Sequence, residues 1–198
     1  MKNTSYAKNL KFDYNYAGIL NKIIKNSDQD TYEHSQRLKS PALKLAKEFE
    51  LNSEYIRDLL VLAELHDLGK IIIDENILNK NGPLNNKEWI KIKEHPMVGF
   101  QMAYNSLNLI KVAEGILTHH EWWDGSGYPL GIGGEDIPLI ARIIAVVDAY
   151  DVMKYGRNYR DAMSDTEIID ELKRSAGSQF DPLVVEKFVT LICSETKC

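Results

Sequence analysis

Histidine and aspartate side chains are the residues of this chain best able to do chemistry. The five histidines stand at positions 34, 66, 95, 119 and 120. His66 is followed directly by Asp67, after the mostly apolar segment 59–65. A polar pair at the end of a buried helix needs a compensating partner, and a metal ion is one. Imidazole and carboxylate groups without a thiolate favour Fe, Mn, Zn, Ni or Co at a catalytic site rather than a structural zinc site.

The adjacent pair His119 and His120 indicates more than one ion. On a helix, neighbouring side chains point about 100° apart, which suits two neighbouring ions better than one. Each histidine also has an ordinary interpretation. His34 beside a glutamate is typical of an exposed helix, and His95 before Pro96 is typical of a helix junction. For His119 and His120, the ordinary interpretation is a hydrogen-bonded pair at a helix end. Only the combination of all these residues predicts a multinuclear metal cluster.

The elements that must position these residues are predicted to be helices. Apolar side chains recur at spacings of three and four, and alternating strand patterns are absent, so the fold is predicted to be all-α. Asn85 with Glu88, and Ser164 with Glu167, resemble capping boxes. Gly69 suits a helix C-terminus that needs a positive φ. The predicted helices are 16–26, 30–50, 53–68, 85–94, 96–106, 110–121, 139–155, 164–175 and 181–192.

A long loop is predicted over residues 124–138, which contain five glycines and two prolines. Most connections between helices are shorter, and a long ordered loop in a compact domain is often functional. The total length of 198 residues, with 44% hydrophobic and 27% charged residues, is ordinary for a single globular domain. We therefore expect the loop to belong to the same domain as the histidines.

Charge and hydropathy exclude several classes of partner. The net charge of −5 gives no general electrostatic attraction for polymeric DNA or RNA. The apolar runs are too short to span a membrane, and the N-terminus lacks the apolar core of a secretory signal. The sequence thus predicts a cytoplasmic protein. A small anionic substrate stays possible because bound cations reverse the local field.

Six motifs follow one another in a characteristic order. They are His34, His66-Asp67-Leu68-Gly69-Lys70, His95-Pro96 with Gly99, His119-His120-Glu121, Asp124-Gly125-Ser126-Gly127-Tyr128-Pro129 and Asp148-Ala149-Tyr150-Asp151. In this order they resemble the HD-GYP family, a subgroup of the HD-domain metal phosphohydrolases, over about residues 15–195. The resemblance implies an all-α HD-domain helical bundle with a long Gly/Pro-rich loop. It divides the chain into a short N-terminal extension, 1–15, and an HD-GYP-like domain, 16–198.

The resemblance also implies an activity and a set of ligands. The implied activity is a metal-dependent phosphodiesterase that hydrolyses cyclic di-GMP to pGpG or GMP through a metal-activated hydroxide. Two divalent ions are implied, with Fe or Mn favoured and Asp67 as the bridging carboxylate. The implied ligands are His34, His66, Asp67, His95, His119, His120 and Asp148. Members with three ions carry a glutamate where this chain has the shorter Asp30, so a third ion depends on that position.

Contacts to the substrate are implied at four further positions. Lys70 matches the family lysine that contacts the scissile phosphate, although a solvated lysine at a helix end is the alternative. Arg157 and Arg160 are expected to bind phosphate oxygens, but Asn158 replaces the proline that is usual between them. Tyr128 has three interpretations: stacking on a guanine, docking of a signalling protein through the loop, or packing of the loop against the core.

Two other functions stay open. One is an HD phosphohydrolase that acts on a different cyclic dinucleotide or on a nucleotide. The other is a non-catalytic module that binds cyclic di-GMP or a partner protein, against which the complete ligand set argues. Asp151, one helical turn after Asp148, is expected to support a ligand rather than to bind metal itself.

Overall fold

The computed structural model describes residues 29–80, 82–156 and 162–196. These residues form helices and connecting loops, and no β-strand lies among them. The helices are α1 (Gln29–Glu48), α2 (Ser53–Leu65), α3 (Glu75–Leu78), α4 (Asn86–Ile92), α5 (His95–Tyr104), α6 (Ile110–Thr118), α7 (Leu139–Tyr155), α8 (Asp165–Ser175) and α9 (Pro182–Thr196). Short 3₁₀ helices span Leu68–Ile72 and Gly134–Asp136. The predicted extension, the predicted helix 16–26, Arg157 and Arg160 lie outside the described residues.

Helices α2 and α7 form the centre of the fold. Helix α1 packs against both of them, and α6 contacts both as well. Leu62 and Leu65 of α2 and Ile143 and Ile144 of α7 are completely buried. Because α2 and α7 are packed on several sides, they can hold polar side chains at fixed positions inside the bundle. Helix α5 pairs with α6, and α9 packs against α8 and α1.

The sequence predicted most helices to within a few residues. Helix α7 has the predicted bounds, and both predicted capping boxes, at Asn85 and at Ser164, are present. Each cap satisfies amides that have no partner in the first helical turn. None of the described helices combines the length and the apolar character needed to cross a membrane. The all-α fold predicted from the sequence is confirmed.

Two helices end about one turn earlier than predicted, and a histidine follows each end. Helix α2 ends at Leu65 and α6 ends at Thr118. The His66 and His119 rings bond through Nδ1 to carbonyl oxygens three residues earlier. In a longer helix those carbonyls would accept amide hydrogens from the next turn. His119 and His120 therefore lie in the turn that follows α6, and their predicted placement on the helix was wrong.

Gly69 serves a different purpose from the one predicted. Its φ is not positive, and it lies inside a 3₁₀ helix rather than at a helix cap. A Cβ atom at this position would lie 2.0 Å from the carbonyl oxygen of His95 and 2.7 Å from the amide nitrogen of Gly99. Glycine is required here because the segment after Asp67 packs directly on the backbone of α5.

Candidate metal centre

Two groups of candidate ligands meet at Asp67. The groups are His34, His66 and Asp67, and Asp67, His95, His119 and His120. In each group, one ligand atom from every residue lies within 4.8 Å of the others. All of these residues are buried except His120, which is half-buried. Since Asp67 belongs to both groups, the arrangement fits two neighbouring ions with a bridging carboxylate.

Main-chain carbonyls orient three of the histidines at helix ends. Each of the three rings lies with Nδ1 close to a carbonyl oxygen three residues earlier. The Nδ1–O distances are 3.2 Å for His66 and Ala63, 2.6 Å for His95 and Ile92, and 2.7 Å for His119 and Ile116. A carbonyl oxygen only accepts hydrogen bonds, so this network assigns the hydrogen to Nδ1. In the neutral ring, Nε2 is then an acceptor directed into the centre.

Acceptor atoms face one another at the middle of the centre. The Nε2 atoms of His95 and His119 are 3.3 Å apart, and His95 Nε2 is 3.3 Å from Asp67 Oδ1. His66 Nε2 lies 3.3 Å from Asp67 Oδ2. Within the described part of the chain, His66 Nε2 and Asp67 Oδ1 are buried without a hydrogen-bond partner. Buried acceptors in this arrangement need a cation between them, so the residues fit divalent ions.

The pKa values of three ligands also suit metal binding. Burial lowers the pKa of His119 well below its usual range and that of His120 to about 3, so both rings are neutral near pH 7. Burial opposes ionisation of Asp67, but the ammonium of Lys70 and the neighbouring His66 outweigh it and hold the pKa of Asp67 well below its usual range. The Lys70 ammonium lies 2.6 Å from Asp67 Oδ2. Neutral imidazoles and an ionised carboxylate are the protonation states that bind metal.

His34 differs from the other histidines because two carboxylates flank it. Its Nδ1 lies 2.7 Å from Asp151 Oδ2, and its Nε2 lies 3.0 Å from Asp148 Oδ1. Burial lowers the pKa of His34, but hydrogen bonds to Asp148 and Asp151 outweigh burial and raise it to about 9. Without metal, the ring holds a proton, which an ion bound at Nε2 would replace. Asp148 thus lies beside the first group of ligands.

The remaining residues predicted for the site lie at different distances from it. Lys70 contacts Asp67 directly. Asp30, at the start of α1, is exposed and belongs to neither group of ligands. Six of the seven predicted ligands form the two groups, and the seventh, Asp148, contacts His34.

Tyr128 packs on a candidate ligand. Its ring stacks on His120 with a centroid distance of 4.9 Å and an interplanar angle of 26°. Its amide nitrogen lies 3.2 Å from the His120 carbonyl oxygen, and Lys93 Nζ lies 5.1 Å from the ring centroid. Burial raises the pKa of the Tyr128 phenol. The ring nitrogens of His120 accept or donate no hydrogen bond among the described residues, so ring contacts with Tyr128, His95 and His119 are what hold this imidazole.

Glu121 holds the Gly/Pro-rich loop, a role that the sequence analysis missed. Its buried carboxylate accepts hydrogen bonds from the amides of Leu130 at 2.6 Å and Gly131 at 3.1 Å. A Cβ atom on Gly127 would lie 2.3 Å from the amide nitrogen of Trp122, so the loop lies directly on the backbone that follows His120. No local sequence pattern indicates this role for Glu121, because its partners are backbone amides nine and ten residues later.

Arg142 and Asp181 support the base of the same loop. Arg142 donates to the carbonyl oxygen of Ile137 at 2.9 Å and to Asp181 Oδ2 at 2.6 Å. Asp181 also accepts from the amide of Leu183 at 2.8 Å, in the first turn of α9. The amide of Asp124 bonds to the carbonyl of Ser178 at 2.9 Å. The segment before α9 therefore fixes both ends of the loop.

Comparison with known proteins identifies a matching family. The HD domain family profile matches residues 18–184. A cyclic di-GMP phosphodiesterase of Thermotoga maritima is 37% identical over 175 residues, which are 87% of this chain and 48% of that protein. The cyclic di-GMP phosphodiesterase response regulator RpfG of Xanthomonas campestris is 38% identical, over 84% of this chain and 45% of the relative. This chain thus spans less than half the length of these relatives.

Solved structures show a similar fold. A cyclic GMP-AMP-specific phosphodiesterase of Vibrio cholerae matches with a TM-score of 0.62 and 22% identity, over 81% of this chain and 44% of the other. An HD-GYP-type protein of Bdellovibrio bacteriovorus, Bd1817, matches with a TM-score of 0.68 and 19% identity, over 90% and 63% of the two chains. Together with the sequence matches, these likenesses confirm the HD fold and the resemblance to HD-GYP proteins.

Proposed function

Because the chain belongs to the HD domain family, we propose that it is a metal-dependent phosphodiesterase that hydrolyses cyclic di-GMP to pGpG or GMP. The observation that carries this proposal is the set of buried acceptors that converge on Asp67 from two sides. Two relatives with more than 35% identity are named as cyclic di-GMP phosphodiesterases. A phosphodiester is the kind of substrate that two adjacent ions can bind and activate.

The two groups of ligands would each hold one ion. Divalent ions bound there would supply Lewis-acid activation of the phosphodiester and of water. Iron and manganese are favoured, and zinc, nickel and cobalt also suit nitrogen and oxygen ligands. Asp67 would hold the ions together through its two oxygens, while Asp148 would complete the group that contains His34. A third ion would need Asp30, whose exposed position gives that idea no support.

Lys70 is the residue best placed to stabilise charge on the reacting phosphate. Its ammonium lies at the bridging carboxylate, at the inner edge of the centre. At this position the ammonium would stabilise the negative charge that develops on the phosphoryl oxygens during hydrolysis. Arg157 and Arg160 remain proposed phosphate contacts, although they lie outside the described residues. No protein nucleophile is required.

Tyr128 is better explained by packing than by contact with a guanine. One face of its ring is occupied by His120, and Lys93 lies near the ring as well. Its phenol group still borders the centre because the ring stacks directly on a ligand. We therefore propose that Tyr128 acts on the substrate indirectly, by orienting His120. Docking of a signalling protein through the loop has no support from these contacts.

A second candidate substrate is 3′3′-cyclic GMP-AMP. Three Vibrio cholerae proteins that are 36%, 34% and 30% identical to this chain are named as 3′3′-cGAMP-specific phosphodiesterases. Both cyclic dinucleotides present the same pair of phosphodiesters, and they differ in one base. The residues of the metal centre would serve either substrate, so the choice between them depends on contacts with the bases.

The decisive experiment reconstitutes the protein anaerobically with Fe(II) or with Mn(II). Bound metal is measured first, and products are then separated by chromatography after incubation with cyclic di-GMP, 3′3′-cGAMP and linear pGpG. We expect about two ions per chain and conversion of cyclic di-GMP to pGpG or GMP. Protein that holds its metal but leaves every cyclic dinucleotide intact would instead support a binding module.

A further inference from the structure

The four histidines with assigned hydrogen bonds are oriented in two different ways. His66, His95 and His119 each use a backbone carbonyl at a helix end. His34 instead lies inside α1, where the carbonyls are used by the helix itself, and its Nδ1 contacts the side chain of Asp151 on α7. The position of this one ligand therefore depends on a side chain that can be replaced without altering the backbone.

Asp151 is itself fixed by Arg37. The guanidinium donates from Nε to Asp151 Oδ1 at 2.9 Å and from a terminal nitrogen to Oδ2 at 2.8 Å. This is a bidentate arrangement, which restricts the orientation of a carboxylate more than a single hydrogen bond does. Asp151 is only 3% exposed, and the guanidinium carbon of Arg37 lies 4.6 Å from the centroid of the Tyr155 ring.

The spacing of the residues explains how one pair of helices forms this network. His34 and Arg37 are three residues apart on α1, and Asp148 and Asp151 are three residues apart on α7. Residues at this spacing share a helix face. Asp151 lies between His34 and Arg37 and contacts both, while Asp148 reaches the opposite nitrogen of the same imidazole.

We propose that Arg37 and Asp151 are positioning residues that make His34 a metal ligand and so control occupancy of one of the two metal sites. Asp151 selects the ring form with hydrogen on Nδ1, which directs the Nε2 lone pair toward the centre. Arg37 in turn fixes Asp151 Oδ2, the oxygen that contacts His34 Nδ1. Neither residue belongs to the group of Asp67, His95, His119 and His120, so the site formed by that group should stay intact without them.

A purely structural role is the competing explanation. Arg37 and Asp151 also form an ion pair that connects α1 to α7, and its loss could loosen the whole bundle. Lys39 on α1 and Glu64 on α2 also form an ion pair that connects α1 to a central helix, and neither side chain contacts a histidine or the Gly/Pro-rich loop among the described residues. Lys39→Met is therefore a matched control for Arg37→Met.

The experiment measures metal binding without substrate, using the full chain and Mn(II) as the probe. This inference rests on the proposed two-metal function, but binding and hydrolysis are separate readouts, so the two can fail independently. Wild-type protein should hold two manganese ions per chain and give the EPR signal of a coupled pair. Arg37→Met and Asp151→Ala should bind the second ion roughly 10–100-fold more weakly and give an uncoupled signal.

Arg37→Lys and Lys39→Met complete the test. Arg37→Lys keeps the positive charge but not the bidentate geometry, so it should recover part of the second-ion affinity. Lys39→Met should retain both ions. The proposal is overturned if Arg37→Met binds two ions as tightly as wild type, if Lys39→Met loses an ion equally, or if wild type takes up one ion only. If Asp151→Ala does not fold, manganese binding by Arg37→Met and Arg37→Lys decides whether the proposal holds.

Discussion

The metal centre and the Gly/Pro-rich loop beside it are built in different ways. In the candidate centre, side chains provide the candidate ligand atoms, and carbonyls at helix ends orient three of the rings through bonds to Nδ1. In the loop, the backbone carries most contacts: amides bond to Glu121, and Gly127 packs where no Cβ atom fits. His120 joins the two regions, because it belongs to the ligands and stacks on Tyr128.

Because of this difference, we expect substitutions in the two regions to have different effects. Loss of a ligand should remove metal and activity together. A change in the loop should act through the position of His120, so its effect on metal affinity should be smaller.

Asp67→Ala should have the largest effect. It removes the carboxylate shared by both groups of ligands, so both ions should be lost and hydrolysis should fall by at least about 10³-fold. Metal analysis and product chromatography measure the two losses, and circular dichroism checks that the helices persist. Turnover at the wild-type rate would show that Asp67 is not the centre of the site.

Lys70→Ala should separate metal binding from catalysis. Since Lys70 contacts the bridging carboxylate but belongs to neither group of ligands, metal content should stay at the wild-type level. Turnover should fall by about 10²–10³-fold through loss of charge stabilisation. Lys91→Ala, at an exposed position on α4, is the control and should behave as wild type. If the Lys70 variant lost its metal, its role would be structural.

Gly127→Ala should affect stability and metal affinity together. The added Cβ atom would lie 2.6 Å from the carbonyl oxygen of His120, so the backbone must shift, at a cost of about 1–3 kcal/mol in free energy of unfolding. Urea unfolding and manganese titration measure both effects. Gly134→Asn is the control, because Gly134 has open space and a φ of 60° that asparagine tolerates. Equal effects at both positions would argue against a specific contact with His120.

Substitutions of Tyr128 should have the smallest effect on metal affinity. They distinguish a role in orienting His120 from direct contact with the substrate. Tyr128→Phe keeps the stacked ring, so metal affinity should be unchanged. Tyr128→Ala removes the stack and should weaken metal binding by about 0.5–1.5 kcal/mol, the usual contribution of an aromatic pair. If the alanine variant instead keeps its metal affinity while KM for the cyclic dinucleotide rises, Tyr128 contacts the substrate.

Most of the fold could be predicted from the sequence because helices depend on local patterns, and the resemblance implied the candidate ligands that the structure brings together. Apolar spacing gave the helices, and the motifs gave the residues of both groups around Asp67. The ends of α2 and α6 could not be predicted, because an imidazole that bonds to a carbonyl looks like any other helical residue in a hydropathy pattern. Asp151 does contact His34, and its support of a ligand stays a prediction.

Residues that act over long sequence separations escaped prediction. Arg37 lies 114 positions from Asp151 and reads in the sequence as an ordinary arginine on an amphipathic helix. The need for Gly69 comes from the backbone of α5, which a single sequence does not place next to it. Only the packed structure brings such residues together.

The contact between Gly69 and Gly99 limits how this scaffold can change its metal preference. A Cβ atom on Gly99 would lie 2.8 Å from the side chain of Ile116, and one on Gly69 would overlap the carbonyl of His95. The segments that carry Asp67 and His95 therefore touch through peptide groups, and their separation is fixed by the main chain. Repacking of side chains leaves that separation unchanged. A different metal preference would instead come from exchange of the ligands or of the side chains that orient them.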